Sequence, residues 1–379
     1  MKHSLIIGGA NGIGLSVALL MARNYKSVTI IDRIEPSIKL PANIKFTQIN
    51  LCSTDFKWLN DYNDVDALFY SAGFGRVAYF EEILVKELDN SFAVNTIAPL
   101  KIISHFMPKL KSNDDFYCGI MVSIAARIAS PLFSIYSATK AALFRAIEAI
   151  NIELEMAGSE NRILEISPGS IKGTRFNGGT NNPDLTATLA TNIIEKLHDK
   201  ETLYIPDYEE IYKSVLNRYS CNPHEFGLSS YNYKIKSDRL QSKPQIKIGY
   251  LSGTFDLFHI GHLNLLRQAK MYCDYLVVGV HRDGSHKGKE VYIPFEERME
   301  ILRSISFVDE VIESEKEDSD IYSKGIVLYD MLFVGSDYKG TERFNSYEEY
   351  FKDKGVQIIY FPYTKGTSST QLRAALSKK

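Results

Sequence analysis

The chain has 379 residues, 45% hydrophobic and 24% charged, with a formal net charge of −2. That length suits two globular domains, and the balanced charge excludes a global basic field for nucleic acid or an anionic membrane. The absence of a bilayer-length apolar run and of a signal-peptide layout leads to the expectation of a cytoplasmic protein with neither membrane nor nucleic-acid partners. The four cysteines, Cys52, Cys118, Cys221 and Cys273, are scattered without a CxxC pair, which argues against a disulfide framework and a structural zinc.

In chain order, short apolar runs alternate with helical patterns. Strands are expected over 4–7 and 27–31 with a helix over 13–23 between them, then further strands over 67–70, 119–123 and 163–167. This is the rhythm of a doubly wound, Rossmann-type parallel sheet. The stretch 204–206 closes that layer, and 208–218 reads as a last helix. Asn222-Pro223 and Ser229-Ser230 read as turn signals, and 234–245 as a charged linker. A second alternation follows: strands over 246–251, 275–280, 331–334 and 356–361, with helices over 263–271, 295–305 and 369–376. The expected organisation is therefore an α/β domain over 1–233 and a smaller Rossmann-like α/β domain over 246–379.

In the first domain Gly8, Gly12, Ile13 and Gly14 follow a strand and open a helix. Glycines there let the backbone approach a pyrophosphate, whose charge the helix N-terminus favours. Asp32, closing the next strand, is placed to accept from ribose hydroxyls and to oppose a 2′-phosphate, which favours NAD over NADP; the neighbouring Arg33 pulls the other way. Ser123 and the pair Tyr136 and Lys140 then supply acid–base chemistry. The Tyr-x-x-x-Lys spacing puts both on one helix face, where an ammonium is expected to lower the phenol's pKa.

Together these features resemble the short-chain dehydrogenase/reductase family over roughly residues 1–235. The resemblance implies a catalytic tetrad of Asn95, Ser123, Tyr136 and Lys140, cofactor support from Ala72 and Gly73, and closure over the nicotinamide by Pro168-Gly169 with Thr174. The departures are Ile7 for the usual Thr, Tyr70 and Ser71 for two Asn, and Asn50 for an Asp near the adenine. The short stretch after Thr174 leaves little lid, which implies a small polar substrate.

In the second domain Gly253-Thr254-Phe255-Asp256 leads from a strand to His259-Ile260-Gly261-His262 at a helix start. Backbone amides and two imidazoles at a helix N-terminus suit a triphosphate and the charge developing at its α-phosphorus. The region resembles the HxGH nucleotidyltransferases, and more closely their cytidylyltransferase branch, over about residues 246–379. The resemblance implies a nucleotide site of Gly253, Thr254, Phe255, His259, His262, Lys287, Arg298, Asp337, Ser368, Ser369 and Thr370, with CTP as substrate and Mg²⁺ bridging its phosphates. One departure is Tyr363 where the glycerol-3-phosphate enzymes place an arginine, with Lys365 close by.

The two families imply one pathway. An NAD(P)H-dependent step reduces a small phosphorylated ketose to a polyol phosphate, and the second domain turns it into a CDP-polyol of the glycerol, tetritol or ribitol type, for capsule or teichoic-acid-like polymers. Reversed order, with oxidation of the nucleotide-linked product, and a non-catalytic scaffold domain are the alternatives. By the same resemblance the chain is expected to form a homo-oligomer, dimer or tetramer.

Overall fold

A computed structural model describes residues 2–52, 54–174, 176, 181–242, 247–283, 291–362 and 372. The chain divides into two compact units, Met1–Lys243 and Pro244–Lys379. Among the described residues no helix is long and apolar enough to cross a membrane.

The first unit runs β1 (His3–Ile7), α1 (Gly12–Met21), β2 (Ser27–Asp32), β3 (Ile44–Gln48), β4 (Ala67–Tyr70), α2 (Val85–Phe92), α3 (Ala98–Leu110), β5 (Tyr117–Met121), α4 (Ser134–Met156), β6 (Ile163–Ile166), α5 (Pro183–His198), β7 (Leu203–Tyr204), α6 (Lys213–Cys221) and α7 (Pro223–Lys236). Its strands pair in parallel in the order β3-β2-β1-β4-β5-β6-β7. Central β4 is buried at every position, because helices cover both faces of the sheet. One core holds Leu5, Ile7, Leu68, Tyr70, Ile102, Phe106 and Leu143, the other Ile6, Leu15, Val28, Phe69, Leu164 and Ile193. The edge strand β3 carries charged and polar residues on its open side, which hid it from an apolar-run reading.

The end of this unit differs from the sequence expectation. Asn222-Pro223 is not a turn. Asn222 caps α7, accepting from Glu225 N at 3.1 Å, and Pro223 stands at the first helical position. Residues 234–236, read as the start of a linker, are the last turn of that helix. Beyond it the Gln241 N–H still donates to the Val77 carbonyl at 2.9 Å.

The second unit runs β8 (Ile248–Gly253), α8 (Ile260–Tyr272), β9 (Tyr275–Val280), α9 (Phe295–Arg303), β10 (Glu310–Glu313), α10 (Asp318–Ser323), β11 (Met331–Gly335), α11 (Glu342–Phe351) and β12 (Gln357–Phe361). These strands are also parallel, in the order β10-β9-β8-β11-β12. Leu251, Leu266, Val278 and Phe333 fill one side. Tyr250, Tyr329, Tyr347 and Phe351 form an aromatic layer on the other. The expected helix over 369–376 lies largely outside the described residues. In the first unit, Phe69→Ala should cost about 3–5 kcal/mol, read as a fall in the urea midpoint of the full chain followed by hydrogen exchange in β4.

Candidate active sites

The first site grows from the turn after β1. Gly8 has φ +82°, and a Cβ on it would lie 2.3 Å from Ala72 N. A Cβ on Gly14 would lie 2.2 Å from Ser71 Oγ. Glycine at both positions therefore lets the β1–α1 turn lie directly on Ser71-Ala72-Gly73 after β4. Ser71, in the place of a family asparagine, makes its own tie by donating to the Gly8 carbonyl at 2.9 Å. Asp32, at the end of β2, accepts from Ala10 N at 3.0 Å and Ile34 N at 3.3 Å. Gly12 opens α1 and donates to Asn181 Oδ1 at 2.7 Å, while Ile13 packs half-buried on the core. The Asn11 Oδ1 is buried with no hydrogen-bond partner among the described residues. A glycine cradle that side chains would fill, a helix N-terminus and an open acceptor together fit a dinucleotide.

Asn95 sits in a π-helical turn, Ala93–Ile97, between α2 and α3. Ala98 N bonds the Ala93 carbonyl there, which takes it from Val94. Pro99 has no N–H to offer as a substitute. The Tyr70 hydroxyl fills the gap, donating to the Val94 carbonyl at 2.6 Å. Tyr70, a departure from the family pattern, thus stabilises the bend that carries Asn95. The Asn95 side chain accepts from Phe74 N at 3.0 Å and donates to the Phe74 carbonyl at 2.8 Å and Thr139 Oγ1 at 3.1 Å. It thereby joins the loop after β4 to α4.

Tyr136 and Lys140 lie one turn apart on α4, both buried. Ser123 caps a short 3-10 turn by accepting from Ala125 N at 3.2 Å. Lys140 Nζ donates to the Met121 carbonyl at 2.9 Å and lies 5.9 Å from the centroid of the Tyr136 ring. A Cβ on Gly73 would meet Asn95 Oδ1 at 3.2 Å and Lys140 Nζ at 3.4 Å, so these groups share one pocket. Burial pushes the Tyr136 phenol above its ordinary value, and a hydrogen bond with Ser123 opposes the rise. Burial also pulls Lys140 down to about 7. Where a lysine-lowered phenol was expected, burial of Tyr136 raises it, and burial of Lys140 weakens the charge that would oppose the rise.

Aromatic neighbours of the phenol escaped the sequence reading. Phe133 stacks on Tyr136 at 4.4 Å, and Phe176 lies at 5.1 Å. A Cβ on Gly75 would meet the Tyr136 ring at 2.6 Å. Tyr212 reaches the Pro168-Gly169 segment, leaving no room for a side chain on Gly169.

The second site stands at the carboxyl end of β8. Phe255 and Leu257 have φ +52° and +50°, a conformation that side chains disfavour and that clusters at functional sites. Two buried groups hold this loop. Asp256 accepts from the Tyr292 and Ile293 amides at 3.1 and 3.0 Å. Arg298, 1% exposed, donates to the Thr254 carbonyl at 2.5 Å, His281 at 2.8 Å, Arg282 at 2.7 Å and Ile293 at 2.9 Å. The sequence reading of Arg298 as a nucleotide contact is corrected accordingly: its guanidinium is spent on carbonyls beneath the loop, so it shapes the site from below.

His259 caps α8, its Nδ1 accepting from Gly261 N at 3.0 Å. With that lone pair engaged, the proton of the neutral ring sits on Nε2. Burial lowers the His259 pKa, favouring the neutral form. The rings of His259 and His262 stack at 3.9 Å, so both imidazoles meet at the helix N-terminus with Gly253 and Thr254. A Cβ on Gly253 would lie 3.0 Å from the Phe255 ring, which fixes glycine there. Asp337 is exposed just after β11. Lys287, Ser368, Ser369 and Thr370 lie outside the described residues.

Two outcomes follow from these buried cations. Lys140 is at about 7 in the folded chain against an ordinary 10.5, so between those values the unfolded chain binds more protons. Its penalty is full below about pH 7 and is relieved as pH rises; the urea midpoint of the first unit should climb from pH 7 to 9, and more shallowly in Lys140→Met. Arg298→Ala should destabilise the second unit by on the order of 3 kcal/mol, because it strands buried carbonyls; thermal unfolding of the full chain measures it.

Comparison with known proteins matches this geometry. A short chain dehydrogenase family model matches residues 2–184 and a cytidylyltransferase-like model residues 250–375. The glycerol-3-phosphate cytidylyltransferase of Bacillus spizizenii is 40% identical over 126 residues, 32% of this chain and 90% of that protein. The first unit shares its fold with a short-chain dehydrogenase from Streptomyces avermitilis (TM-score 0.51, 20% identity, 62% of this chain and 100% of that one). It also shares it with one from Burkholderia cenocepacia in complex with NADP (TM-score 0.50, 19% identity, 61% of this chain and 99% of that one). The chain therefore joins a short-chain dehydrogenase domain to a cytidylyltransferase domain of the glycerol-3-phosphate cytidylyltransferase family, and is a bifunctional enzyme.

Proposed function

We propose that residues 1–233 reduce the carbonyl of a small ketose phosphate to a polyol phosphate with NAD(P)H. Residues 246–379 then couple that product to CTP, giving a CDP-polyol and pyrophosphate. The observation that carries this reading is the presence in one chain of two separate constellations. One is Ser123, Tyr136 and Lys140 beside a dinucleotide cradle; the other is His259 and His262 at a helix N-terminus. The likeness of the second unit to a glycerol-3-phosphate cytidylyltransferase supports a polyol phosphate as the shared intermediate.

A reduced nicotinamide bound in the cradle of Gly8, Gly12 and Gly14 would supply the hydride for the carbonyl carbon. Ser123 holds the carbonyl oxygen, the Tyr136 hydroxyl donates the proton that completes the alcohol, and Lys140 with Asn95 orders the proton's replacement. Asp32, already oriented by Ala10 N, favours a cofactor without a 2′-phosphate. In the second step a phosphate oxygen of the polyol attacks the α-phosphorus of CTP and pyrophosphate leaves. The Nε2–H of His259, together with His262, stabilises the charge on the reacting phosphate. Mg²⁺ is carried on the nucleotide's phosphates. CDP-polyols of the glycerol, tetritol or ribitol type would feed a cell-surface polymer.

The full chain, given NADH or NADPH with CTP, Mg²⁺ and a panel of triulose, tetrulose and pentulose phosphates, should consume the nicotinamide absorbance and yield one CDP-polyol by mass spectrometry. No such product from any of them rejects the pathway. Tyr136→Phe should lower reduction by about 10²–10⁴-fold and leave nucleotidyl transfer intact. His262→Ala and chelation of Mg²⁺ should each do the reverse.

A further inference from the structure

Helix α7 inverts the usual rule of burial. Most of its apolar side chains face solvent, with Leu228 54% and Tyr233 55% exposed, and Phe226 is only half-buried, while Lys234 is 7% exposed. Apart from Gly227, Lys234 is the buried residue of the whole helix. An ammonium there costs several kcal/mol of desolvation, and no carboxylate pairs with it among the described residues. Instead its three N–H groups are all used on neutral oxygens: the Pro131 carbonyl at 2.6 Å, Ser130 Oγ at 2.8 Å and Ser230 Oγ at 3.1 Å.

The bonds fall on the turn that leads into the helix of Tyr136. Ser130 accepts from Phe133 N at 3.0 Å. Leu132 between them is held at φ +64°, and its carbonyl accepts from Ala78 N at 2.8 Å. Phe133 then stacks on the Tyr136 ring at 4.4 Å. A Cβ on Gly227, two turns earlier on the same helix face, would touch Pro131 at 3.8 Å. The ammonium thus pins a strained turn whose next residue is the platform for the phenol.

We infer that Lys234, which lies beyond the matched dehydrogenase segment 2–184, is a positioning residue of the redox site. It fixes the 130–133 turn so that Phe133 sets the Tyr136 ring against the substrate carbonyl. The inference rests on the reading of the first unit as a carbonyl reductase. It assigns the C-terminal helix of that unit a part in the geometry of proton donation.

Lys234→Met fills the same volume without the donors. In the full chain it should lower kcat for carbonyl reduction by about 10- to 100-fold, the cost of a small misplacement of a catalytic group. The KM for NAD(P)H should stay within about twofold, and CTP turnover should be unchanged. The melting temperature should fall, because the Pro131 carbonyl loses its donor, and it is the split between a lowered kcat and an unchanged KM and CTP turnover that a merely structural lysine would not give. Hydrogen exchange over 128–137 should quicken while the sheet stays protected. Unchanged kcat in an active enzyme, or unchanged exchange over 128–137, overturns the inference. If Lys234→Met does not fold, Ser130→Ala, which removes one acceptor, should give a smaller fall in kcat with the same exchange signature, and no change in either overturns it equally. If the unmodified chain reduces no carbonyl substrate, the functional reading fails, and the exchange comparison alone decides whether Lys234 pins the turn.

Discussion

A parallel sheet whose strand order reverses at its centre sends its connections away to opposite sides, leaving a cleft at the carboxyl edge that no loop needs to cross. Both units are built on that constraint. In the first the break lies between β1 and β4, in the second between β8 and β11. The tight turn after β1 and the strained loop after β8 each open a helix at such a break, so backbone N–H groups and the positive end of a helix dipole face the ligand position. The side chains that do chemistry are then supplied by other elements, α4 and the π-helical turn in one unit and the first turn of α8 in the other.

A second theme is the buried cation held by main-chain carbonyls and hydroxyls. Lys140, Lys234 and Arg298 all donate to backbone carbonyls or hydroxyls, and burial lowers the pKa of each. A carboxylate partner would have neutralised the charge locally and fixed one side chain to another. Carbonyl partners instead tie the charge to the path of the main chain, so each cation holds a loop. All three lie at or next to a candidate centre.

Much of this was legible from residue order. The glycine turn, Tyr136 with Lys140, and the histidine pair each lie in a local motif whose geometry is set within one turn of helix, and the structure brings each together. What escaped depends on distant pairing. Edge strand β3 has too few apolar residues to stand out, and β10 is as polar at both ends. Asn222-Pro223 has the composition of a turn, but the Asn222 side chain caps the Glu225 amide and Pro223 fits the first helical position, so the pair starts α7. Arg298 sits in a motif, yet its direction, into the protein rather than toward the ligand, depends on carbonyls from three other segments. Pro99 was a visible signal for the bend at Asn95, since a helix cannot keep its regular bonding across it.

Tyr70 and Pro99 are coupled through one carbonyl. The hydroxyl of one serves the carbonyl that the bend around the other leaves unserved. Removing the Tyr70 hydroxyl would orphan a buried acceptor, at about 1–3 kcal/mol. The two positions therefore depend on each other, since the proline creates the need that the tyrosine meets.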